Sequence, residues 1–460
     1  MSKSRKIVSL LLASALALSF VGCGSGSNTT SSAAPEGGDS APASSDAGEA
    51  TPTGDKVQLK LLHKWPDPET KGPFFDVVIA NYEEANPNID IVDEAVGDEP
   101  IKDKLRVLMG SNDRPDIFFS WSGEFANKFI AANAAYDLTP ALEENDSEWK
   151  NSFMSAGLEP FAKDGKNYGI PLRIDPKYMI YHKSIFDQYG LTAPTTWDEF
   201  MNVCKTLKDN GVTPISFGDQ YPWAACHYIT GLNQQCVPQD VRMKDYTAET
   251  GEFTDPGYVT ALQLFADLGP YFNEFPNSKS HDQARQTWAA GTEAMFYAEI
   301  EEFKQCDEAN QTGLNDEWGF FPLPTVTDLK GEANYITGAP DGFMVSSTST
   351  IPEEAIKFLK YITNMENQEF MVKTLAWPSP VIGATNESVA PTYIMEGMKR
   401  LEEADGMALW LDTDINAKIS DVWLPGLQEI LNGTITPEEL MKKVQEMAAE
   451  VKGLAEAGQL

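Results

Sequence analysis

Apolar residues in the first part of the chain alternate between strand-like runs and helical spacing. Between the runs, apolar side chains recur three and four residues apart, as they do on one face of a helix. Gly72-Pro73 is expected to open the first helix and Asn86-Pro87 to end it, while a second helix ends near Gly110. Short apolar runs predict three strands, at residues 57–62, 89–92 and 115–119. Strands that alternate with helices predict parallel pairing, and so an α/β sheet.

Polar and aromatic residues follow two of these predicted strands. Trp65 and Asp67 lie in the loop after the first strand, and Trp121 and Glu124 come directly after the third. Ligands of open α/β sheets bind at the carboxyl ends of the strands. We therefore expect these side chains to lie near one edge of the sheet.

One segment near the middle of the chain departs from helical patterning. Gly169, Pro171 and Pro176 exclude a helix from its first half, because proline lacks the N–H donor that a helix requires. The aromatic and apolar run that follows, at residues 178–181, predicts a short buried strand.

Helix and strand signals continue to the end of the chain. Thr196 and Glu199 have the spacing of a capping box, and Thr436 is expected to cap the last helix. Pro352 opens another helix, whereas Trp223 is expected in a loop after Pro222. Further strands are expected to begin near residues 211, 294 and 319.

The N-terminus has the pattern of a secretory signal. Residues 1–22 combine a basic start with an apolar run, and about 15 apolar residues fall short of the ~20 that a membrane-spanning helix needs. Cys23 occupies the position of the lipid-modified cysteine in bacterial lipoprotein signals. Residues 23–55 are otherwise small and polar, so they cannot bury a core and are expected to form a flexible tether.

The chain is strongly acidic, with a net charge of −34. Removing the basic residues of the signal leaves 32 basic against 69 acidic residues, a net charge of −37. Nucleic acid and anionic lipid are therefore poor partners, and so are polyanionic substrates. Solubility alone is the other explanation of the charge.

Sequence motifs of metal sites, nucleotide sites and enzymes are absent. No Cys-x-x-Cys pair occurs and the four histidines do not have ligand spacing, so neither a metal nor a cofactor is expected. Cys226 and Cys236 could form a disulfide in an extracellular chain, but spacing alone does not show it. The carboxylate pairs Glu299/Glu301 and Asp412/Asp414 are weak candidates for a glycosidase pair. A non-enzymatic protein is the favoured interpretation.

Five motifs occur in a fixed order along the chain. The first is Tyr168-Gly169-Ile170-Pro171 with Tyr181-His182-Lys183, and the others lie at residues 288–296, 319–324, 338–345 and 377–380. Together they resemble the extracellular solute-binding proteins of ABC importers, in particular the carbohydrate-binding cluster. That family usually has a Gly-x-Trp shortly after the second motif. Here Tyr297 or nearby carboxylates are expected to take its place.

The resemblance implies a two-lobe α/β fold of the periplasmic-binding-protein type II class, in which helices flank a mixed or parallel sheet in each lobe. Three crossing segments would form the hinge. The first lobe is expected to comprise residues 56–173 and 338–378, and the second residues 174–337 and 379–460.

The resemblance also implies a function. The chain would be a substrate-binding lipoprotein that captures a carbohydrate, in particular an oligosaccharide, in the interlobe cleft and delivers it to a membrane permease. It would be a monomer, held on the extracytoplasmic face of the cell membrane by lipid, including palmitate, on Cys23. The lobes would close about the hinge when ligand contacts both of them.

Binding a sugar requires flat aromatic platforms for its C–H faces and charged or amide groups for its hydroxyls. Packing in the core is the alternative for each tryptophan, an Arg173–Asp175 pair for the arginine, and a helix-dipole acid for Glu124. The candidate platforms are Trp65, Trp121, Trp223, Trp377 and Trp410, with Tyr297 beside them. The candidate polar contacts are Asp67, Glu124, Arg173, Asp175, Glu299, Asp341 and Asp412.

Three alternative functions stay open at this point. The excess of carboxylates would also suit an amino-sugar, a polyol or a cationic solute. A sugar-sensing receptor subunit could use the same fold, and a secreted glycoside hydrolase is the least favoured alternative.

Overall fold

A computed structural model describes residues 56–111 and 114–459. The proposed signal, the lipidation site at Cys23 and the whole of the tether lie outside the described residues. The region from Gly54 onward forms one compact unit. Its main sheet has nine strands, which we number β1 (Val57–His63), β2 (Ile89–Ala95), β3 (Ile117–Trp121), β4 (Gly169–His182), β5 (Thr213–Ser216), β6 (Glu293–Glu299), β7 (Trp318–Phe321), β8 (Tyr335–Val345) and β9 (Gly406–Ala408).

The sheet has the order β2-β1-β3-β8-β4-β6-β5, with β7 paired to β4 and β9 paired to β8. Strand β1 pairs in parallel with β2 and β3, as the alternation of strands and helices predicts. Strand β8 is antiparallel to both β3 and β4, and β4 is antiparallel to β6. A separate two-stranded hairpin, Ala162–Lys163 with Lys166–Asn167, contains the turn that precedes β4.

Strand β4 is much longer than the short strand expected at residues 178–181. Its 14 residues include Pro171 and Pro176, and its first half pairs with β8 while its second half pairs with β6 and β7. Proline breaks a helix but is tolerated in a strand where no ladder hydrogen bond needs its N–H. The buried pairing on both sides therefore overrides the interruption that the prolines suggested.

Two glycines of β8 allow it to lie close to β4. A Cβ atom at Gly338 would lie 2.7 Å from the carbonyl oxygen of Asp175, and one at Gly342 only 2.1 Å from that of Ile170. The register between the two strands also shifts between Asp341 and Gly342. The crossing point thus combines close backbone contact with an irregular ladder.

Buried apolar residues form three clusters, which divide the molecule into two lobes. The first lobe surrounds the cluster under β1, β2 and β3, which also includes side chains of Pro352–Ile362 and Met365–Leu375. The second lobe surrounds the two clusters under β5, β6 and β7. Along β4 the cluster changes between Leu172 and Ile174, so Arg173 lies where the strand passes from one lobe to the other.

Most helix boundaries agree with the sequence signals, and both capping boxes form. Two expectations were wrong. The first helix begins at Pro68 and not at Gly72-Pro73, because Asp67-Pro68-Glu69 is itself a helix start signal. This helix continues through the π-helical segment Lys71–Asp76. Trp223 is not in a loop but begins the helix Trp223–Cys236.

The other helices surround the sheet, and none in the described residues is long and apolar enough to cross a membrane. The α-helices are Val77–Ala85, Asp98–Met109, Glu124–Ala131, Thr139–Leu142, Glu144–Asn151, Ser155–Leu158, Lys183–Gln188, Trp197–Asp209, Gln239–Asp245, Pro256–Leu268, His281–Ala289, Phe303–Thr312, Pro352–Ile362, Met365–Leu375, Thr392–Glu402, Leu411–Asp414, Ala417–Leu431 and Pro437–Glu456. Short 3-10 turns occur at Glu159–Phe161, Gly269–Tyr271, Pro276–Ser278 and Ile300–Glu302.

The cysteines of the described region are free and buried: Cys204, Cys226, Cys236 and Cys306. Cys226 and Cys236 lie on the same helix, where ten residues correspond to about 15 Å along the axis. A disulfide requires Cα atoms roughly 4.4–6.8 Å apart. The helix therefore excludes the disulfide that the sequence left open.

Candidate functional site

A cleft of about 930 Å³ lies between the two lobes. The first lobe contributes the loop after β1, the start of Asp98–Met109 and the end of β3. The second lobe contributes the starts of Trp223–Cys236 and His281–Ala289, and the segment around Trp410. Strands β4 and β8 form the floor at their crossing point, so the ends of strands and the starts of helices from both lobes face one space.

The structure brings most of the predicted site residues together. Those that line the cleft are Trp65, Asp67, Trp121, Arg173, Asp175, Trp223, Glu299, Asp341, Trp377, Trp410 and Asp412. The carboxyl-end rule therefore located this edge from the sequence. Two predicted residues, Glu124 and Tyr297, lie elsewhere.

Glu124 is the first residue of the helix Glu124–Ala131 and does not line the cleft. It accepts a hydrogen bond from Asn127 Nδ2 at 3.0 Å, within its own helix. An acid in the first turn suits the positive end of the helix dipole. This geometry supports the alternative explanation for Glu124.

Tyr297 lies on β6 below the cleft and is buried. Its ring centroid is 4.7 Å from that of Tyr228, and Lys177 Nζ lies 5.2 Å from the ring. Tyr297 and Glu299 share a face of the strand, but only Glu299, at the end of the strand, reaches the cleft. Tyr297 therefore packs in the second lobe and does not replace the missing family tryptophan in the cleft.

Arg173 is the central cation of the cleft floor and is 2% exposed. Its Nε donates to Asp341 Oδ1 at 3.0 Å, and its Nη2 donates to Asp341 Oδ2 at 3.0 Å. Glu301 Oε2 lies 2.8 Å from Nη1, while Asp175 Oδ2 lies 3.5 Å from Nη2. The principal partner of Arg173 is therefore Asp341 on β8, not the Asp175 that the sequence suggested.

A second buried cation lies on the same strand four residues further along. Lys177 Nζ is 3.2 Å from Glu299 Oε1 and 2.9 Å from His227 Nδ1. Burial, followed by the nearby charge of Lys177, lowers the pKa of His227 to about 3. The imidazole is therefore neutral, and its Nδ1 accepts a hydrogen bond from Lys177.

The carboxylates around these cations differ in their ionisation. Burial raises the pKa of Asp175 well above its ordinary value, and burial also raises that of Glu301. Burial would raise the pKa of Glu299 as well, but the nearby charge of Lys177 outweighs it and holds that pKa well below its ordinary value. Glu299 is therefore ionised, whereas the surroundings of Asp175 disfavour the negatively charged form of its carboxyl group.

The faces of several cleft tryptophans are covered by cations of the protein. The Arg173 guanidinium carbon lies 4.5 Å from the Trp377 ring centroid and 5.5 Å from that of Trp65. Lys64 Nζ lies 4.9 Å from the Trp121 centroid, and Lys177 Nζ lies 5.2 Å from that of Trp223. Trp65 and Trp377 are also packed into the first core. These contacts therefore already occupy part of the aromatic faces against which a sugar ring would stack.

Sequence reasoning missed the other charged residues of the cleft. Lys64 Nζ is 3.0 Å from Asp98 Oδ1 and 3.4 Å from Asp341 Oδ2, and these carboxylates outweigh burial and raise the pKa of Lys64. Asp98 begins a helix directly after β2, so the carboxyl-end rule could have found it. The remaining charged and histidine residues that were missed are Glu69, Glu99, Lys102, His227, His281, Asp282, Arg285, Glu302 and Glu308.

Comparison with known proteins agrees with this architecture. Residues 66–369 match the family model of the bacterial extracellular solute-binding proteins. The chain belongs to this family. An uncharacterized ABC transporter extracellular-binding protein of Pyrococcus horikoshii is 25% identical over 470 residues, covering 98% of this chain and 97% of its relative.

Two further matches are similar along most of their length. A multiple sugar-binding protein of Streptococcus mutans is 24% identical over 74% of this chain and 79% of its own. A solved chitin oligosaccharide binding protein superimposes with a TM-score of 0.78 at 23% identity, over 87% of this chain and all of that one. The solute-binding protein therefore has the two-lobe type II fold that the sequence motifs implied.

The two lobes of this solute-binding protein also meet beside the cleft. Gly123, at the end of β3, packs against the short second-lobe helix Leu411–Asp414, where a Cβ atom would lie 2.9 Å from the Thr413 carbonyl oxygen. Asp412 on that helix faces the charge of Lys102 from the first lobe, and burial raises its pKa to about 6. Asp412 Oδ1 is buried without a hydrogen-bond partner. This contact brings groups of both lobes within reach of one ligand.

Proposed function

We propose that this solute-binding protein captures a carbohydrate, in particular an oligosaccharide, in the interlobe cleft and delivers it to the permease of an ABC importer. The observation that carries the proposal is the cleft itself, where tryptophans and carboxylates from both lobes line one space. Sugars offer C–H faces to aromatic rings and hydroxyls to charged groups. The relative named a multiple sugar-binding protein supports the same ligand class.

Ligand must contact both lobes if it is to favour a closed form. Trp121 and Lys64 belong to the first lobe, whereas Trp223 and Trp410 belong to the second. The cleft volume lies at the upper end of the range of about 300–1,000 Å³ that is usual for small-molecule sites. That size favours an oligosaccharide over a monosaccharide.

Thermal melting and tryptophan fluorescence of the mature chain, with a panel of oligosaccharides, monosaccharides and polyols, test this proposal. A ligand at one hundred times its Kd adds roughly 2.7 kcal/mol to the stability of the folded state, which is readily measured. Trp223→Ala should abolish the response. Trp149→Ala is the matched control, because Trp149 is also partly buried but lies away from the cleft. Equal responses of the two variants would contradict the proposed site.

We also propose that the protein binds its ligand without cleaving it. A glycoside hydrolase needs a neutral carboxylic acid in an apolar pocket opposite a second carboxylate. Glu299 contacts Lys177, and Glu301 contacts Arg173, so neither lies in an apolar pocket. Release of reducing sugar from a bound oligosaccharide over several hours would contradict this proposal.

We also propose that lipid on Cys23 anchors the protein to the membrane, a proposal that the signal-like sequence before this cysteine supports. We expect the full chain to partition into detergent and to incorporate labelled palmitate, and Cys23→Ser to abolish both. A Cys23→Ser protein that stays membrane-bound would overturn the lipoprotein assignment.

Deleting the genes of a neighbouring permease should abolish uptake of the sugar if the role is transport rather than sensing.

A further inference from the structure

The cleft is richer in carboxylates than the rest of the chain. It is lined by 12 aspartates and glutamates but only four lysines and arginines, whereas the whole chain has 69 acidic and 35 basic residues. A neutral sugar needs acceptors and donors in similar numbers and does not require a net charge. The excess of acidic over basic residues in the cleft is therefore evidence on the charge of the ligand.

Three of these carboxylates converge. One oxygen each from Asp175, Glu299 and Glu301 lies within 4.8 Å of the other two. A tetrahedral primary ammonium with N–H···O distances of about 2.8 Å places its three acceptors about 4.6 Å apart. The three oxygens are thus close enough together to accept the three N–H groups of one amine.

The carboxylates near this cluster outnumber their cations. Arg173 is shared by Glu301, Asp341 and Asp175, and Asp175 is the most distant of the three. Lys177 contacts Glu299, and Lys64 divides its charge between Asp341 and Asp98. Asp175 is therefore the carboxylate with the weakest compensation, although it is only 4% exposed.

An independent feature of the cleft indicates a ligand with oxygen atoms. The indole N–H groups of Trp288 and Trp423 are sealed in the core without a partner. Those of Trp377 and Trp410 also make no hydrogen bond to described residues, yet they are not sealed from solvent, and both side chains are more than nine-tenths buried along the cleft. Because both tryptophans line the cleft, their unpaired donors are available to acceptors of a ligand, such as hydroxyl or ring oxygens.

We propose that the ligand is a sugar with a protonated primary amine, and that Asp175, Glu299 and Glu301 accept its three N–H groups. The inference rests on the proposed carbohydrate function and narrows it to amino-sugars. A divalent metal ion fits the cluster less well, because it would need oxygens at about 2.4 Å beside the two fixed cations Arg173 and Lys177.

Calorimetry of the mature protein with matched sugar pairs tests the inference. Each pair differs only in one group: glucose with glucosamine, galactose with galactosamine, and cello-oligosaccharides with chitosan oligosaccharides, with chitin oligosaccharides as the N-acetyl form. We expect the amine of a pair to bind at least tenfold more tightly than its hydroxyl partner. Its affinity should fall as sodium chloride is raised, because a charge contact is screened by salt.

Two variants separate the cluster from the rest of the cleft. Asp175→Asn and Glu301→Gln should each reduce the preference for the amine over its hydroxyl partner about tenfold or more, since hydrogen bonds to charged groups are the stronger ones. Asp282→Asn is the control, because Asp282 lines the same cleft but its side chain is 79% exposed. Circular dichroism and melting show whether each variant is folded.

The outcomes distinguish this inference from the proposed function. If neutral sugars bind and their amines bind no better, the amine assignment is overturned while the carbohydrate function stands. Stabilisation by Ca²⁺ alone would also overturn it and assign the cluster to a metal. If no member of any pair binds, both proposals are overturned.

Discussion

Arg173 lies where β4 passes from one core to the other, and three carboxylates surround its guanidinium. Arg173→Met would leave these carboxylates without their shared cation. Removing one partner of a buried ion pair typically costs about 3–5 kcal/mol, so we expect a loss of this size in the free energy of unfolding. Urea denaturation measures it.

A surface arginine gives the matched control for this substitution. Arg106 donates to Asp103 at 2.6 Å, but its side chain is 79% exposed. Arg106→Met should change the free energy of unfolding by no more than about 0.5 kcal/mol. If Arg173→Met were equally mild, the ion pairs of the cleft floor would have no structural role.

Asp414 provides a pH-dependent prediction. Burial raises its pKa to about 7 in the folded protein, against about 3.9 in an unfolded chain. The folded state therefore holds an extra proton between these values, and stability falls as pH rises from 4 to 7. Asp414→Asn removes this loss. We expect the variant to be more stable than the parent by about 2 kcal/mol at pH 8, with the difference vanishing near pH 4.

Melting temperatures of both proteins at pH 4 and pH 8 measure this effect. Asp421→Asn, at an exposed position of Ala417–Leu431, is the control and should shift the melting temperature equally at the two pH values. A pH-independent effect of Asp414→Asn would show that Asp414 is not protonated in the folded protein at neutral pH.

At the scale of elements, the contact between the end of β3 and the helix Leu411–Asp414 joins the two lobes. Gly123 has φ +69° and ψ −143°, a conformation that only glycine adopts readily. Gly123→Ala adds this strain, of roughly 1–3 kcal/mol, to a clash with the Thr413 carbonyl. We expect both a lower melting temperature and weaker ligand binding, because the contact joins the two lobes beside the cleft.

Gly433→Ala controls for the positive φ angle of this change. Gly433 has φ +68°, but nothing lies within 4 Å of the position of its Cβ. Its substitution should lower stability without changing the Kd for ligand. Unchanged ligand affinity in Gly123→Ala would show that this contact does not contribute to closure.

Sequence patterns predicted local structure well wherever a local signal decides it. Capping boxes and the helix end before Asn86-Pro87 depend on neighbours within a few residues, and they agree with the structure. The parallel pairing of β1 with β2 agrees with the alternation of strands and helices along the sequence. The length of β4 could not be predicted, because pairing with β8 and β6, more than 100 residues away, overrides its prolines.

The candidate site shows the same limit. Trp65 was located correctly at a strand end, but its contact with Arg173 joins positions 108 residues apart and leaves no local trace. Tyr297 lies on the same face of β6 as Glu299, but it is buried below the cleft, because only the end of β6 reaches the cleft. The lobe boundaries at 173/174, 337/338 and 378/379 stay a prediction.

At the scale of the whole molecule, the position of the cleft between the two lobes predicts that the lobes close when ligand binds. Contacting groups come from both lobes, so ligand can favour the closed arrangement only by bridging them. Small-angle scattering of the mature protein should show a smaller radius of gyration with a tight ligand than without it. Trp223→Ala, at the same ligand concentration, should keep the larger value. A radius that is independent of ligand would contradict hinge closure.

The prolines of the crossing strands affect how such motion can be observed. Pro171, Pro176 and Pro340 have no amide hydrogen, and Pro340 directly precedes Asp341, the strand partner of Arg173. Deuterium uptake and amide relaxation will therefore have gaps at the point where bending is expected to concentrate. Spectroscopic labels placed on the two lobes, away from the hinge, will measure the rotation of one lobe against the other, which amide signals at the hinge cannot report.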